Sequence, residues 1–190
     1  LKKITPLLGK EHTKIMSEKI TIKDNPLDEE SINAQAFDDE GVACFTKEVV
    51  EEGVFKMFLH NLKTAAFFNT TSTGNGSRAG GSIGVRPINL YIEPGTKTKE
   101  ELYSDMKDGF LVTKLDGLHA GVNPVSGDFS LKAAGFKIEN HKITHAVTLV
   151  VLSGNFYKLM KDVGEVANDL EFSYKAISSP SIRFKAQSVS

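Results

Sequence analysis

"DFSLKAAGFKIENHKITHAVTLVVL", Asp128 to Leu152, is the stretch whose reading decides the fold. Its second half gathers Ile143, Thr144, Val147, Thr148, Val150 and Val151, β-branched side chains that suit a pleated strand better than a helix. Two such runs, separated by the polar Glu139–His141, predict one long hairpin turning there. Phe129, Leu131 and Ala133 share one face, whereas Phe136 and Ile138 have the opposite parity. A bulge at Ala134-Gly135 would reconcile them.

Downstream, "NFYKLMKDVG" sets Phe156, Leu159, Met160 and Val163 at helical spacing, with Gly164 as its stop. The tail "LEFSYKAISSPSIRFKAQSVS" supplies two last strands. Upstream, "GFLVTKL" and "INLYIEPG" read as strands, and between them "TKEELYSDM" carries a capping box, Thr98 with Glu101, that starts a helix at Thr98. "SEKITIKDNP" is a short strand with Ile20 and Ile22 on one face, stopped by Asn25-Pro26. After the acidic loop "LDEESINAQAFDDEG", the stretch "FTKEVVEEGVFKMFLHN" is a hairpin turning at Glu52-Gly53, followed by a short helix from Leu59 to Phe67. "NTTSTGNGSRAGGSIG", Asn69 to Gly84, has almost no apolar side chain. It reads as a long surface loop and the least ordered internal segment. Hairpins dominate, and parallel βαβ units would need helices between most strands. The fold class is therefore α+β, a mainly antiparallel or mixed β-sheet with about three short helices.

The chain has 190 residues, enough for one domain with a real core. Lys and Arg number 23 against 24 Asp and Glu, so no net field draws it to nucleic acid or to an anionic membrane. No apolar run is long enough to span a bilayer. A single cysteine, Cys44, cannot form an internal disulfide or a thiolate cage, which suits a cytoplasmic protein. The opening "LKKITPLLGKEH" has neither Met nor a targeting pattern, and residues 1–190 are expected to be part of a longer protein.

The chemistry-bearing residues form no self-sufficient active site. His141 and His145 have the i,i+4 spacing of a helical zinc pair, but on a strand four residues separate them by about 13 Å. The runs Asp38-Asp39-Glu40 and Glu51-Glu52 lack the ligand spacing of a calcium loop and read as solvated turn acids. There is no G-x-S-x-G elbow, P-loop or G-x-G-x-x-G. Cys44, in "GVACF", reads as an inert buried thiol. No metal is expected in this chain.

Several phrases, in order along the chain, resemble one family: "KITIKDNP" (19–26), "FDDEGV" (37–42), "STGNGSR" (72–78), "PINLYIEPG" (87–95), "GLHAGVNPVSGDFSLKAAGFKIENHKI" (117–143) and "VLSGNFYKLMKDVGEVANDLEF" (151–172). They are similar to the C-terminal half of TldD/PmbA proteins, historically labelled modulators of DNA gyrase. The resemblance implies that residues 1–190 are a single C-terminal domain of a longer TldE/PmbA-like chain whose N-terminal domain is absent here. In that family, TldD members are zinc metalloproteases with an H-E-x-x-x-H helix. Each pairs with a TldE (PmbA) subunit that holds no metal and helps enclose the peptide substrate. TldD-type chains also have G-G-x-V before the N-P-x-x-G-D-F block and a zinc-ligating cysteine before the last strand. Here the first place reads "LHAGVNP", and no cysteine follows Cys44.

The resemblance therefore implies a noncatalytic TldE/PmbA-type subunit of a proteolytic complex. Zinc belongs to a TldD-type partner, with heterodimer or self-association as the assembly and a peptide as substrate. Two alternatives stand beside it: a catalytic TldD-like chain whose metal motif lies in the missing half, and a protein-binding module modulating DNA gyrase. Candidates for the substrate cleft are His119, Asn123, Asp128, Asn89, Asn75 and Arg78. For Asn123, before Pro124, and for Asp128, the structural reading is a turn and its cap. In the functional reading His119 and Asn123 line the cleft, where backbone groups grip an extended peptide.

Overall fold

The computed structural model describes residues 5–185 and 188–189. The long hairpin is present as strands β8 (Asp128–Glu139) and β9 (Lys142–Asn155), flanked by β7 (Asp108–Asp116) and by β13 (Ser188–Val189) in the sheet order β13-β9-β8-β7. Asn140 and His141 turn it with φ of 49° and 67°, the left-handed pair that a two-residue hairpin loop requires. Leu131, Ala133, Gly135 and Ile138 are its buried residues.

The register breaks between Ala133 and Gly135 as the parity change predicts, but the extra residues sit on the two neighbours. Val112 pairs with Gly135 and Lys114 with Ala134, leaving Thr113 over; Gly135 pairs with Val147 and Ala133 with Val150, so β9 also carries one residue too many. Gly135 permits this crowding, because a Cβ there would run into the Leu111 carbonyl. A second extra residue falls in β9 opposite Phe136–Ile138. Leu149, inside the bulged stretch Thr148-Leu149, has φ of 61°, a conformation bulky residues rarely adopt.

A second sheet has the order β11-β6-β1-β2-β3, from β1 (Ile22–Asp24), β2 (Lys47–Glu51), β3 (Val54–Phe55), β6 (Leu90–Ile92) and β11 (Ile177–Ser178). Only β11 and β6 run parallel. The β2–β3 hairpin turns at Glu52-Gly53, both with positive φ. A Cβ on Gly53 would press on the Met16 and Ser17 backbone. Ile15, Met16, Ile20, Val50 and Phe55 meet Met160, Val163 and Val166 in the hydrophobic core, which welds this sheet to the ribbon of β10 (Val163–Val166) and β12 (Ile182–Phe184). The fold is α+β.

Four expectations are corrected, and three of them concern the bounds or number of elements. The helix expected over Leu59–Phe67 is α1, Leu62–Phe68, because Asn61 accepts from the Thr64 N–H while Thr64 Oγ1 accepts from the Asn61 N–H, a capping box that fixes the start. The helix expected to run to Gly164 is α3, Phe156–Lys161; Asp162 caps it and Val163 enters β10. Among its described residues the tail forms three strands rather than two.

The largest correction concerns Asn69–Gly84. Gly76–Ala79 (β4) and Ser82–Val85 (β5) pair as a hairpin across Gly80-Gly81, both with positive φ. Thr73 and Asn75 are buried. The segment is ordered by side chains elsewhere: Asp38 Oδ2 accepts from the Gly76 N–H at 2.7 Å and Asp39 Oδ2 from the Arg78 N–H at 2.7 Å. Helix α2, Lys99–Ser104, starts after Thr98 as expected, with the Thr98–Glu101 capping box.

Candidate functional site

The six candidate residues divide into three groups. Asn75 and Asn89, 0% and 1% exposed, lie in a polar cluster built around Asp24. One Asp24 oxygen accepts from the backbone N–H groups of Ile88 (3.0 Å) and Asn89 (2.8 Å). The other accepts from Asn75 Nδ2 (2.7 Å) and from Lys47 Nζ (3.3 Å). Both charged side chains are wholly buried, and the Lys47 ammonium also lies 4.7 Å from the centre of the Phe45 ring. Asn75 continues the network, accepting from Thr73 Oγ1 and donating to the Arg86 carbonyl; Asn89 Nδ2 donates to the Asn25 carbonyl. Neither asparagine reaches solvent. They tie four chain segments together, and Asn75 spends both its amide oxygen and its amide nitrogen in doing so.

Arg78 is exposed on β4, and among the described residues it forms no ion pair. It does not approach Asn75 through any hydrogen bond, although the two are only three residues apart in sequence.

His119, Asn123 and Asp128 belong to the loop between β7 and β8, which is itself a small hairpin closed by the Val122–Phe129 bridge. Asn123 Oδ1 accepts from the Val125 and Ser126 N–H groups (3.0 and 3.1 Å), the turn its position before Pro124 leads one to expect. Asp128 accepts from Ser126 Oγ at 2.7 Å and from Asn155 Nδ2 at 2.8 Å. Those two hydrogen bonds, Asn155 first, hold its carboxyl below the ordinary value. Asn155 in turn caps α3, so the loop is bolted to that helix. Gly127 completes the joint: its φ is 81°, and a Cβ would stand 2.6 Å from the Tyr157 ring. Gly121 backs onto the Ser130 carbonyl so closely that a Cβ would overlap it.

His119 is different. It is exposed, and among the described residues its side chain makes no hydrogen bond. The loop thus offers a histidine and turned backbone on a rigid support, without a carboxylate or hydroxyl aligning the ring for proton transfer.

Among the described residues no three His, Cys, Asp or Glu side chains converge as a metal site. His141 Nδ1 faces the Ser104 carbonyl at 2.8 Å, and His145 lies along β9 beside Thr144, so this pair does not fit a shared zinc ion. Cys44 is buried; burial pushes its thiol pKa up, and Sγ faces the Gly74 carbonyl at 3.4 Å. No helix among the described residues is long and apolar enough to cross a membrane.

Sequence reasoning missed the Asp24–Lys47 pair and the anchoring role of Asp38 and Asp39. The signal was present as "KDNP" and "FDDEGV", but an acidic residue beside a turn carries no mark of burial.

The sequence profile of the PmbA/TldA metallopeptidase C-terminal domain matches residues 1–190. An Archaeoglobus fulgidus metalloprotease is 34% identical over 171 residues, which are 88% of this chain and 39% of that protein. The metalloprotease PmbA of Escherichia coli O157:H7 is 29% identical over 170 residues, 90% of this chain and 36% of its own. Among solved structures, TldE from Thermococcus kodakarensis superposes with a TM-score of 0.92 at 32% identity, covering 98% of this chain and 43% of that one. A Thermotoga maritima protein assigned as a modulator of a DNA gyrase gives a TM-score of 0.91 at 41% identity, covering 98% and 42%. The chain spans about two fifths of the length of these relatives.

Proposed function

The chain belongs to the PmbA/TldD metallopeptidase family, matching its C-terminal domain along all 190 residues, and from that premise we propose that it is the noncatalytic, TldE/PmbA-type subunit of a cytoplasmic TldD/TldE peptidase complex. In this reading its Gly117–Asp128 loop forms one wall of the cleft that takes the peptide. The observation carrying the proposal is the construction of that loop: Asn123, Asp128, Gly127 and Asn155 spend their polar groups and conformational freedom on rigidity, while His119 is left exposed. A rigid loop with an unaligned histidine suits contact with an extended peptide rather than proton transfer. The TldD-type partner supplies the metal chemistry, and the described residues here supply no ligand set for zinc.

The test is reconstitution with a TldD-type subunit. His119→Ala removes one cleft contact, which for a neutral hydrogen bond is about 0.5 to 1.5 kcal/mol, or roughly a two- to thirteen-fold loss of peptide turnover. A loss of several orders of magnitude with assembly intact would put His119 in the chemical step. The relatives named metalloproteases support a second reading, in which the full-length chain is itself the catalytic subunit. Stoichiometric, chelator-sensitive zinc in the full-length protein alone, together with peptide hydrolysis, would establish it.

A further inference from the structure

An open cavity of about 490 Å³ lies where the segment before β1 meets the end of α3 and the β10–β12 ribbon. Four of its lining side chains are ammonium groups, Lys14, Lys19, Lys161 and Lys185, against a single carboxylate, Glu18. A chain with 23 basic and 24 acidic residues has no general surplus of positive charge to explain that convergence.

Two of the four lysines are already matched. Lys14 pairs with Glu18 at 3.1 Å and Lys19 with Glu165 at 2.8 Å. Lys161 and Lys185 are exposed, and among the described residues neither forms an ion pair. The side chain of Asp162, next to Lys161 in sequence, does not line the cavity. Four ammonium groups less two carboxylates leave two positive charges, the complement of a phosphate group carrying close to two negative ones at neutral pH.

The walls do not oppose an anion. Carbonyl oxygens at the end of a helix would repel one, but here they already accept hydrogen bonds. Met160 accepts from the Ser17 N–H (2.9 Å), Asp162 from the Lys185 N–H (3.0 Å) and Val163 from Ser17 Oγ (3.1 Å). The same bonds join the three segments that carry the lysines, over Met16 and Val163 of the hydrophobic core. Those two apolar residues are 8% and 2% exposed, so an apolar ligand has little to cover. The cations also narrow the choice, because lysine acts as a flexible point charge toward phosphate, whereas a flat carboxylate is matched by the guanidinium fork.

We propose that this cavity binds a dianionic phosphate group, free or as the monoester of a small molecule, between Lys161 and Lys185. Lys14 and Lys19 turn toward it from their carboxylate partners, since such exposed pairs are weak. The site rests on the cavity alone and does not depend on the functional reading.

Calorimetric titration of the full-length protein at constant ionic strength tests it, with inorganic phosphate, adenosine monophosphate, adenosine and acetate as probes. Phosphate and adenosine monophosphate should bind saturably, and adenosine and acetate should not. Equal affinity for the first two assigns the site to free phosphate, and tighter binding of the nucleotide assigns it to an ester. Lys161→Gln and Lys185→Gln should each weaken binding by about fivefold or more, the effect of one unit charge about 4 Å away even in water. Glu18→Gln should tighten it, an opposite sign that a folding defect does not produce, and Lys137→Gln on β8 should leave it unchanged. Melting curves like that of wild type would show that the variants are folded. No saturable binding of either phosphate probe, binding indifferent to both lysines, acetate binding as well as phosphate, or weaker binding in Glu18→Gln would overturn the proposal.

Discussion

Asn75 donates a 2.7 Å hydrogen bond to Asp24 across 51 residues of sequence, and neither side chain is exposed. That bond joins the glycine-rich segment to the second sheet, where Lys47 balances the same carboxylate. Removing one partner of a buried pair leaves an uncompensated charge at a cost of about 3 to 5 kcal/mol. Asp24→Ala should therefore destabilise by about that amount in denaturant titration. The double variant Asp24→Asn with Lys47→Met should lose clearly less than the sum of its parts, since both charges go together. Additive losses would mean that the pair is not coupled.

The β4–β5 hairpin gives a second expectation. With Asp38 and Asp39 holding the Gly76 and Arg78 N–H groups, trypsin should cut after Arg78 slowly despite its exposure, because cleavage needs an extended, freed backbone. Asp38→Ala should accelerate that cut before the rest of the chain becomes sensitive. Rapid cleavage of wild type at Arg78 would show that these bonds do not order the segment in solution.

What the sequence discloses depends on the range of the interaction. The long hairpin was legible because alternation and turn chemistry act between neighbours, and so was the start of α2, where Thr98 and Glu101 are three residues apart. Asn69–Gly84 misled because its composition is that of a loop, while its order comes from Asp24, Asp38 and Asp39, 38 to 51 residues away. The candidate site divides the same way. Asn123 before Pro124 announces a turn, and Asp128, five residues on, closes it. Nothing local separates Asn75 or Asn89, buried and structural, from an asparagine in a cleft.

Two groups should shape the acid side of the stability profile. Asp128 has its pKa lowered by hydrogen bonds from Asn155 and Ser126, so its contribution is present above the unfolded pKa and is lost as pH falls through the lower folded value. His60 has its pKa lowered by burial, against a small opposing effect of Glu11. The fold thus favours its neutral form, and the penalty appears as pH drops below about 6.5. His60→Gln should flatten the stability profile below about pH 6.5, and Asn155→Ala should raise the Asp128 titration midpoint in NMR. An unchanged slope or an unchanged midpoint would contradict the respective assignment.

Gly127 should tolerate no side chain. Gly127→Ala meets two obstacles, a φ of 81° and the Tyr157 ring 2.6 Å from the new methyl, and should destabilise by about 1 to 3 kcal/mol. Tyr157→Ala removes the second obstacle only. In the double variant the added cost of the alanine should shrink without vanishing; a cost that is unchanged would mean that the backbone conformation alone sets it.

Leu149 holds a strained backbone with little to offset it. Its φ of 61° costs on the order of 1 kcal/mol or more for a bulky side chain, and with 82% of the residue exposed little packing within the chain offsets that cost. Asparagine accepts the left-handed region far more readily. Leu149→Asn should therefore raise stability by about 1 kcal/mol, a melting increase of roughly 2 to 4 °C for a chain of this size. Thr148→Asn, at a neighbouring position without positive φ, should give no such gain. A Leu149→Asn chain that is less stable than wild type would show that packing of the leucine outweighs the strain of its backbone.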